Sequence, residues 1–377
     1  MRLRGVTPEE MDAGFTDAAM LAFHYEATDA EREHARVVDE PGRALVWEDD
    51  GRIVATASVY SRDMSVPGGT LPCAAVTAVT VVPSHRRRGL LTGLMRRQLD
   101  DLRDGGEAVA ALKASEGGIY GRFGYGPATY EAVLRARRAD RALLAGSGPD
   151  HGPPLRIAPP GEALDVMRPL HEAERARRPG MLDRSGPWWD DRLLDLENER
   201  NGATARRAVL ADGGYALYSI ASRDDPRGPQ GEVRVRELVA ETPEARARLW
   251  SFLLDQDLTA TLVWPSAPVD EPLTLMLANP RGADLAPRTA LWVRLVDLPR
   301  ALTARTYDGE PDVVFEVTDA FCPWNAGRWR LAGGACERTT DPAGLALDTA
   351  ALAAAYLGGT TLEQRHSREA CRVLHFL

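Results

Sequence analysis

Cysteine, basic charge and long apolar runs are all scarce in this sequence. Its four cysteines lie far apart and include no C-x-x-C pair, so neither a zinc knuckle nor a disulfide framework is expected, and we predict no metal. No apolar run approaches the roughly 18–20 residues that a membrane span needs, and the N-terminus lacks the apolar core of a signal peptide. The 46 Lys and Arg against 55 Asp and Glu give a net charge of −9, which argues against a nucleic-acid binder. We therefore predict a reduced, cytoplasmic protein without a membrane or nucleic-acid partner.

The composition that remains is typical of a folded globular protein. Hydrophobic residues make up 44% and charged residues 27% of the 377 residues. At roughly 150 residues per domain, this length predicts two or three domains. Stretches rich in proline and glycine at 145–154 and 279–287 interrupt the chain. They predict three domains, at 1–145, 146–286 and 287–377.

Local signals near the N-terminus predict two helices and a hairpin. Thr7-Pro8-Glu9-Glu10 and Thr28-Asp29-Ala30-Glu31 each carry the residues of a capping box at a helix start. Strand-like runs at 43–47 and 52–60 flank an acidic turn that ends in Gly51, which predicts a β-hairpin.

The next stretch predicts a strand, a helix and a second strand. A β-branched run spans 74–82, apolar residues recur at helical spacing over 89–102, and another apolar run follows at 108–112. A weaker version of this plan recurs at 233–264, and an apolar run at 371–377 predicts a terminal strand. The predicted fold class is therefore α/β with mixed sheets.

The turn between the first predicted strand and its helix carries the most specific signal. It contains Arg86-Arg87-Arg88-Gly89-Leu90-Leu91. A helix N-terminus offers unpaired N–H groups and about half a positive charge, and glycine lets the backbone approach an oxyanion. The spacing fits neither a P-loop nor a dinucleotide-binding fingerprint. It predicts a pyrophosphate cradle; the alternatives are a solvated basic turn or a nucleic-acid patch, for which three arginines in an acidic chain are few.

A second cluster of glycines and aromatic residues follows the next strand, from Ser115 to Gly126. A tyrosine has a reference pKa of about 10, so it stays protonated at neutral pH and can donate a proton to a leaving thiolate. Tyr120 is the candidate donor, with core packing as the alternative. For Phe123 and Tyr125 we prefer the packing role.

Together the two clusters resemble the GNAT acyltransferases, and more closely the Eis (enhanced intracellular survival) family. The arginine turn resembles the GNAT pattern R-x-x-G-x-G/A, with Leu91 in place of the last Gly or Ala, and 115–129 carries the rest of the resemblance. The resemblance implies tandem GNAT domains, the second degenerate, and a C-terminal α/β domain like a sterol carrier protein, opened by 292–299. It also implies an acetyl-CoA-dependent N-acetyltransferase of aminoglycosides and other amines, assembled as a homohexamer.

The resemblance further implies roles for individual residues. Tyr120 matches the proton donor of the family, and the terminal carboxylate of Leu377, returning to the active site, matches the proton acceptor. Glu26 and Phe376 are candidates for substrate binding, although Phe376 stands where the family's aminoglycoside acetylator has an acidic residue. A solvated helix charge is the alternative for Glu26, and a plain edge strand for the tail. The residues implied to hold the cofactor are Val79, Thr80, Val81, Arg86, Arg87, Arg88, Gly89, Leu90, Leu91, Thr92, Ser115 and Glu116.

The leading hypothesis is direct attack of a primary amine on acetyl-CoA in a ternary complex, because no cysteine lies near Tyr120 in the sequence. The acceptor is an aminoglycoside, another cationic amine such as a polyamine, or a protein lysine. The second domain has the acidic stretch 240–245 where the first has its arginines, so we expect it to bind no CoA. The competing hypotheses are a lipid-carrying protein and a CoA sensor without turnover.

Overall fold

A computed structural model describes residues 1–144, 153–226 and 228–362. By its internal packing the chain forms two compact units. The first unit contains Met1–Thr129, Arg178–Asp191 and the chain from Ala290 onward; the second contains Tyr130–Arg177 and Arg192–Thr289. The three-domain division at 1–145, 146–286 and 287–377 stays a prediction. Each of the two units combines segments that are separated in the sequence. Residues 145–152 of the predicted linker at 145–154 and the predicted terminal strand at 371–377 lie outside the described residues.

The strands and helices of the described residues are numbered in chain order. The strands are β1 (Arg2–Gly5), β2 (Leu45–Asp49), β3 (Arg52–Val66), β4 (Gly69–Val81), β5 (Val109–Lys113), β6 (Gly126–Pro127), β7 (Tyr130–Arg137), β8 (Arg156–Ala158), β9 (Arg207–Ala211), β10 (Gly214–Ala221), β11 (Gly231–Ala240), β12 (Thr259–Pro268), β13 (Ala283–Thr289), β14 (Leu291–Leu295), β15 (Asp312–Thr318), β16 (Gly327–Ala332), β17 (Ala335–Arg338) and β18 (Leu345–Asp348). The α-helices are α1 (Pro8–Glu10), α2 (Thr16–Phe23), α3 (Asp29–Val38), α4 (Leu90–Asp104), α5 (Leu164–Arg177), α6 (Gly186–Leu193), α7 (Pro243–Leu254), α8 (Leu273–Met276), α9 (Leu298–Thr303) and α10 (Thr349–Ala355).

The large sheet of the first unit has the strand order β1-β2-β3-β4-β5-β14-β6. β2 and β3 form the predicted hairpin. β4 and β5 are parallel neighbours in the sheet and are connected by α4, so the strand–helix–strand prediction is confirmed. Both capping boxes are present, at Thr7 with Glu10 and at Thr28 with Glu31. The helix that starts at Pro8 differs from the prediction in one respect, because it changes to a π-helix over Met11–Phe15 before α2.

The C-terminal part of the first unit shares a core with the large sheet. Its small sheet has the order β17-β16-β15-β18. Phe315 and Trp329 from this sheet are buried in one hydrophobic cluster with Val109 of β5 and Val293 of β14. This shared core explains why the chain from Ala290 onward packs as part of the first unit.

The second unit repeats the strand–helix–strand plan around its own core. Its sheet has the order β13-β7-β12-β11-β10-β9-β8, and β11 and β12 are parallel on either side of α7. Trp250 and Leu253 of α7 are fully buried against this sheet. The mixed α/β fold class is therefore confirmed in both units. In the described part of the chain, no helix has the length and apolarity to cross a membrane.

Candidate active site

In the first unit, the parallel strands β4 and β5 pair over only part of their length, which leaves a gap between them. The ladder between β4 and β5 joins Cys73–Ala75 to Val109–Ala111 only, whereas β4 continues to Val81 with β3 on its other side. The open edge of β4 from Val76 to Val81 lines a cavity of about 840 Å³. Backbone N–H and C=O groups along such an edge need partners, and an extended ligand arm can supply them.

A β-bulge shapes this open edge. The register of β3 and β4 shifts between Thr56 and Ser58, and Ala78 opposite adopts a positive φ of 48°. The hydroxyl of Thr56 donates to the carbonyl oxygen of Ala78 at 2.7 Å, and its oxygen lies 2.6 Å from the hydroxyl of Thr80. Thr56 was not predicted from the sequence, because only the pairing of β3 with β4 brings its hydroxyl to Ala78 and Thr80.

The arginine turn lines the cavity where α4 begins. Gly89 is the N-cap residue at φ 80°, a conformation that favours glycine, and no side chain caps the first turn of α4. Its first N–H groups therefore remain available to a ligand. Arg86, Arg87 and Arg88 are exposed, and within the described residues none of them forms an ion pair. Arg86 and Arg87 line the cavity, whereas Arg88 lies outside its lining.

Two contacts from β2 hold this turn in place, and the sequence analysis identified neither. The indole of Trp47 donates to the carbonyl oxygen of Leu90 at 2.9 Å. The imidazole Nε2 of His85 lies 3.2 Å from a carboxylate oxygen of Asp49. Both partners lie far from the turn in sequence, so only the pairing of the sheet brings them to it.

Tyr120 lines the same cavity. It precedes a 3₁₀ turn over Gly121–Phe123, and its carbonyl oxygen accepts from Phe123 N at 3.0 Å and Tyr125 N at 3.3 Å. Burial raises the pKa of the Tyr120 hydroxyl above its ordinary value, and the Glu116 carboxylate raises it further. Tyr120 is thus fully protonated at neutral pH.

The cavity brings together most of the residues singled out from the sequence. Among the described residues, Glu26 and Arg88 lie outside the lining, and Leu377 and Phe376 lie outside the described residues. The sequence-predicted residues that line the cavity are Val79, Thr80, Val81, Arg86, Arg87, Gly89, Leu90, Leu91, Thr92, Ser115, Glu116 and Tyr120. Lining residues that the sequence analysis missed include Phe23, His24, Lys113 and Arg122.

The charge of the lining is mainly positive. The cations are Arg86, Arg87, Lys113 and Arg122, and Glu116 is the one carboxylate within the described part of the lining. Such a cavity attracts an anionic ligand. The described ranges contain no group of three or more His, Cys, Asp or Glu side chains that could hold a metal ion.

The corresponding helix start of the second unit differs in its chemistry. The hydroxyl of Thr242 accepts from Ala245 N at 3.1 Å and so caps α7. Glu241 and Glu244 flank this start, where the first unit has arginines. The second helix start is therefore already capped, and its charge opposes an anion.

Comparison with known protein families identifies three successive domains in the chain. Two models described as acetyltransferase (GNAT) domains match residues 2–128 and 180–295, and a sterol carrier protein domain matches residues 298–371. An uncharacterised N-acetyltransferase of Streptomyces avermitilis is 44% identical over 88% of this chain and 83% of its own length.

Proteins named Eis are similar over nearly the whole chain. The N-acetyltransferase Eis of Mycobacterium tuberculosis is 36% identical over 85% of this chain and 81% of its own length. The crystal structure of Eis1 from Mycobacterium abscessus superposes with a TM-score of 0.82 at 32% identity, covering 96% of this chain and 90% of that one. The chain is therefore an acetyltransferase and belongs to the Eis family of GNAT N-acetyltransferases.

Proposed function

We propose that the protein transfers an acetyl group from acetyl-CoA to a primary amine by direct attack in a ternary complex. The observation that carries this proposal is that the arginine turn, the open edge of β4 and Tyr120 line one cavity. Acetyl-CoA, when bound, supplies an acetyl group activated as a thioester. The residues of the chain bind and orient it and move the protons.

The chemistry of the cavity fits CoA. The uncapped start of α4 together with Arg86 and Arg87 offers N–H donors and positive charge to the diphosphate, with Arg88 alongside. Val79, Thr80 and Val81 offer backbone groups to the pantetheine arm. In the proposal the remaining cradle residues, Leu90, Leu91 and Thr92, add first-turn N–H groups, and Ser115 and Glu116 lie toward the thioester end.

Tyr120 is the proposed proton donor to the leaving thiolate. Its raised pKa supports this role, because a general acid must carry its proton at the working pH. Its backbone is fixed by two hydrogen bonds within the turn, which limits the positions that its ring can take.

The proposed proton acceptor is the terminal carboxylate of Leu377, with Phe376 beside the substrate. An amine arrives protonated and has no lone pair for attack until a base removes that proton. A terminal carboxyl has a reference pKa of about 3.5, so burial next to the thioester has to raise it for efficient proton abstraction. Among the described residues, Glu116 is the one carboxylate of the cavity lining and is therefore the alternative base, whereas Glu26 is exposed outside the lining.

The acceptor proposed is a cationic amine: an aminoglycoside-like molecule, another amine such as a polyamine, or a lysine. The second GNAT domain is proposed to bind no CoA, since Thr242 already caps its helix start between two glutamates. We further propose a homohexamer and a reduced, cytoplasmic setting, the latter supported by Cys73, Cys322 and Cys336, which are buried free thiols.

The decisive experiment measures thiol release from acetyl-CoA with a panel of aminoglycosides, polyamines and lysine peptides. We expect release that saturates with at least one amine and product that carries one acetyl group on nitrogen by mass spectrometry. Tight CoA binding without release in the presence of any amine would contradict the proposal and favour a CoA sensor.

A further inference from the structure

A buried ion pair lies beneath the turn that carries Tyr120. Arg294 of β14 and Asp319, which follows β15, are joined at 2.5 Å, and their side chains are 0% and 2% exposed. A Cβ placed on Gly124 would lie 2.2 Å from Nη1 of Arg294, so the guanidinium lies directly against the backbone of the turn. Gly124 has a φ of 82° and no side chain, and both properties are required for this approach.

The contact continues from Gly124 to Tyr120. Tyr125 is fully buried, and its ring lies edge-on to the ring of Tyr120 at 5.9 Å between centroids. Burial raises the pKa of the Tyr125 hydroxyl, and the nearby positive charge of Arg294 opposes part of that rise. Arg294 thus reaches the ring of Tyr120 through one intervening residue.

Asp319 is in turn fixed by the loop at residues 319–325. Its second carboxylate oxygen accepts from Cys322 N at 2.8 Å, and Asn325 donates to the oxygen shared with Arg294 at 3.3 Å. The side chain of Asn325 also accepts from Leu298 N at 3.1 Å and donates to Leu295 O at 3.0 Å. The pair is therefore part of a network that joins the sterol-carrier-like part of the chain to β14.

The same loop contacts α4, the helix whose start is proposed to bind CoA. Phe321 packs edge-on to Phe123 at 5.0 Å between centroids, and the guanidinium of Arg96 of α4 lies 3.9 Å over the Phe321 ring. Arg96 also donates to the carbonyl oxygen of Phe321. One loop thus contacts both α4 and the turn that carries Tyr120.

We propose that Arg294, held by Asp319, is a positioning residue that fixes the turn of Tyr120, so that the sterol-carrier-like part of the chain is a structural component of the acetyl-transfer site. The inference rests on the proposed role of Tyr120 as proton donor. A buried ion pair contributes little net stability compared with apolar residues of similar size. A role in positioning therefore predicts a loss of activity that exceeds any loss of stability.

The test replaces both charges together, as Arg294→Met with Asp319→Leu, because removing one alone would leave the other buried and unpaired. Its control is Arg246→Met with Glu271→Leu, which removes an ion pair of 2.7 Å in the second unit between a fully buried glutamate and a partly buried arginine. The measurements are circular dichroism, the Kd for CoA, and kcat with the amine that gives the highest rate in the panel. We expect the Arg294/Asp319 variant to stay folded, to keep its Kd within about twofold, and to lose about tenfold to a hundredfold in kcat; the control should keep its kcat.

A double-mutant cycle with Tyr120→Phe separates positioning from general damage. If Arg294 acts through Tyr120, removing the pair in the Tyr120→Phe protein should lower kcat by less than about twofold. The inference would be overturned if the kcat losses of the Arg294/Asp319 variant and of Tyr120→Phe multiplied in the combined variant. It would also be overturned if the Arg294/Asp319 variant kept the kcat of the parent protein; neither result would contradict the role of Tyr120. An unchanged kcat in Tyr120→Phe alone would instead overturn the donor role.

If the double replacement does not fold, Arg294→Lys gives the same comparison with a milder change. It keeps a positive charge for Asp319 but loses the flat guanidinium that lies against Gly124. We expect about a threefold or larger loss in kcat, at unchanged Kd, that again disappears in the Tyr120→Phe background. A Lys variant with the kcat of the parent protein would overturn the inference.

Discussion

The indole nitrogen of Trp47 donates a hydrogen bond of 2.9 Å to the carbonyl oxygen of Leu90, the first residue of α4. The same ring lies against Gly93 one turn later, where an added Cβ would come within 2.8 Å of Cζ2. The Trp47 side chain therefore fixes where α4 begins and how closely its first turns pack against β2. We propose this helix start as the cradle for the diphosphate.

Gly93→Ala is expected to weaken CoA binding by displacing this helix start. The new methyl group would overlap the Trp47 ring, and close-packed groups relax by moving the helix or the ring. We expect the Kd for CoA, measured by calorimetry, to rise about fivefold. Trp47→Phe loses both the hydrogen bond to Leu90 and the part of the ring that packs against Gly93, so it should lower the thermal midpoint by about 2–4 °C or more.

Gly161→Ala is the control for this change. A Cβ on Gly161 meets no atom within 4 Å, so the substitution tests the effect of an added methyl group alone. The idea that Trp47 fixes the cradle would be wrong if Gly93→Ala and Gly161→Ala bound CoA with the same affinity as the parent protein.

Arg87→Ala with Gly89→Ala is expected to remove most of the affinity for CoA. Arg87 is a cation on the cavity wall that forms no ion pair with the described residues, and Gly89 requires a positive φ that alanine rarely adopts. We expect the Kd to rise at least about tenfold and its salt dependence to become weaker, since fewer ionic contacts remain. Arg97→Ala, which removes an exposed arginine of α4 paired with Asp101, should leave the Kd unchanged. Equal affinities for the two variants would show that the diphosphate binds elsewhere.

Tyr120→Phe is expected to lower kcat by about a hundredfold or more while leaving the Kd for CoA nearly unchanged. The phenol donates only when protonated, so kcat of the parent protein should fall as the pH rises through the pKa of Tyr120. Burial and Glu116 raise that pKa above its ordinary value, so this fall should begin above the reference of about 10. In Tyr120→Phe the alkaline fall should be absent. Tyr130→Phe, at an exposed tyrosine, is the control.

Local signals in the sequence predicted much of the fold and the cradle. The capping boxes at Thr7 and Thr28 and the strand–helix–strand unit around α4 depend on residues close together in the chain. The contacts of Trp47 with Leu90 and of Arg294 with Asp319 depend on sheet pairing and on packing between distant segments. No periodicity in the sequence encodes these partners, which is why the residues that hold the site in shape were missed.

An extension of the chain beyond Leu377 gives a direct test of the proposed proton acceptor. A few added residues move the terminal carboxylate away from Leu377 and replace it by a neutral amide, which cannot accept the proton of the amine. We expect turnover to fall by about a hundredfold or more, and the Kd for CoA to stay unchanged because the cradle is untouched. The control is an extension that a protease removes to restore Leu377 as the last residue; its removal should restore turnover. Full activity in the extended protein would mean that another group takes the proton, and Glu116, the carboxylate of the described cavity lining, would be the next to replace by glutamine.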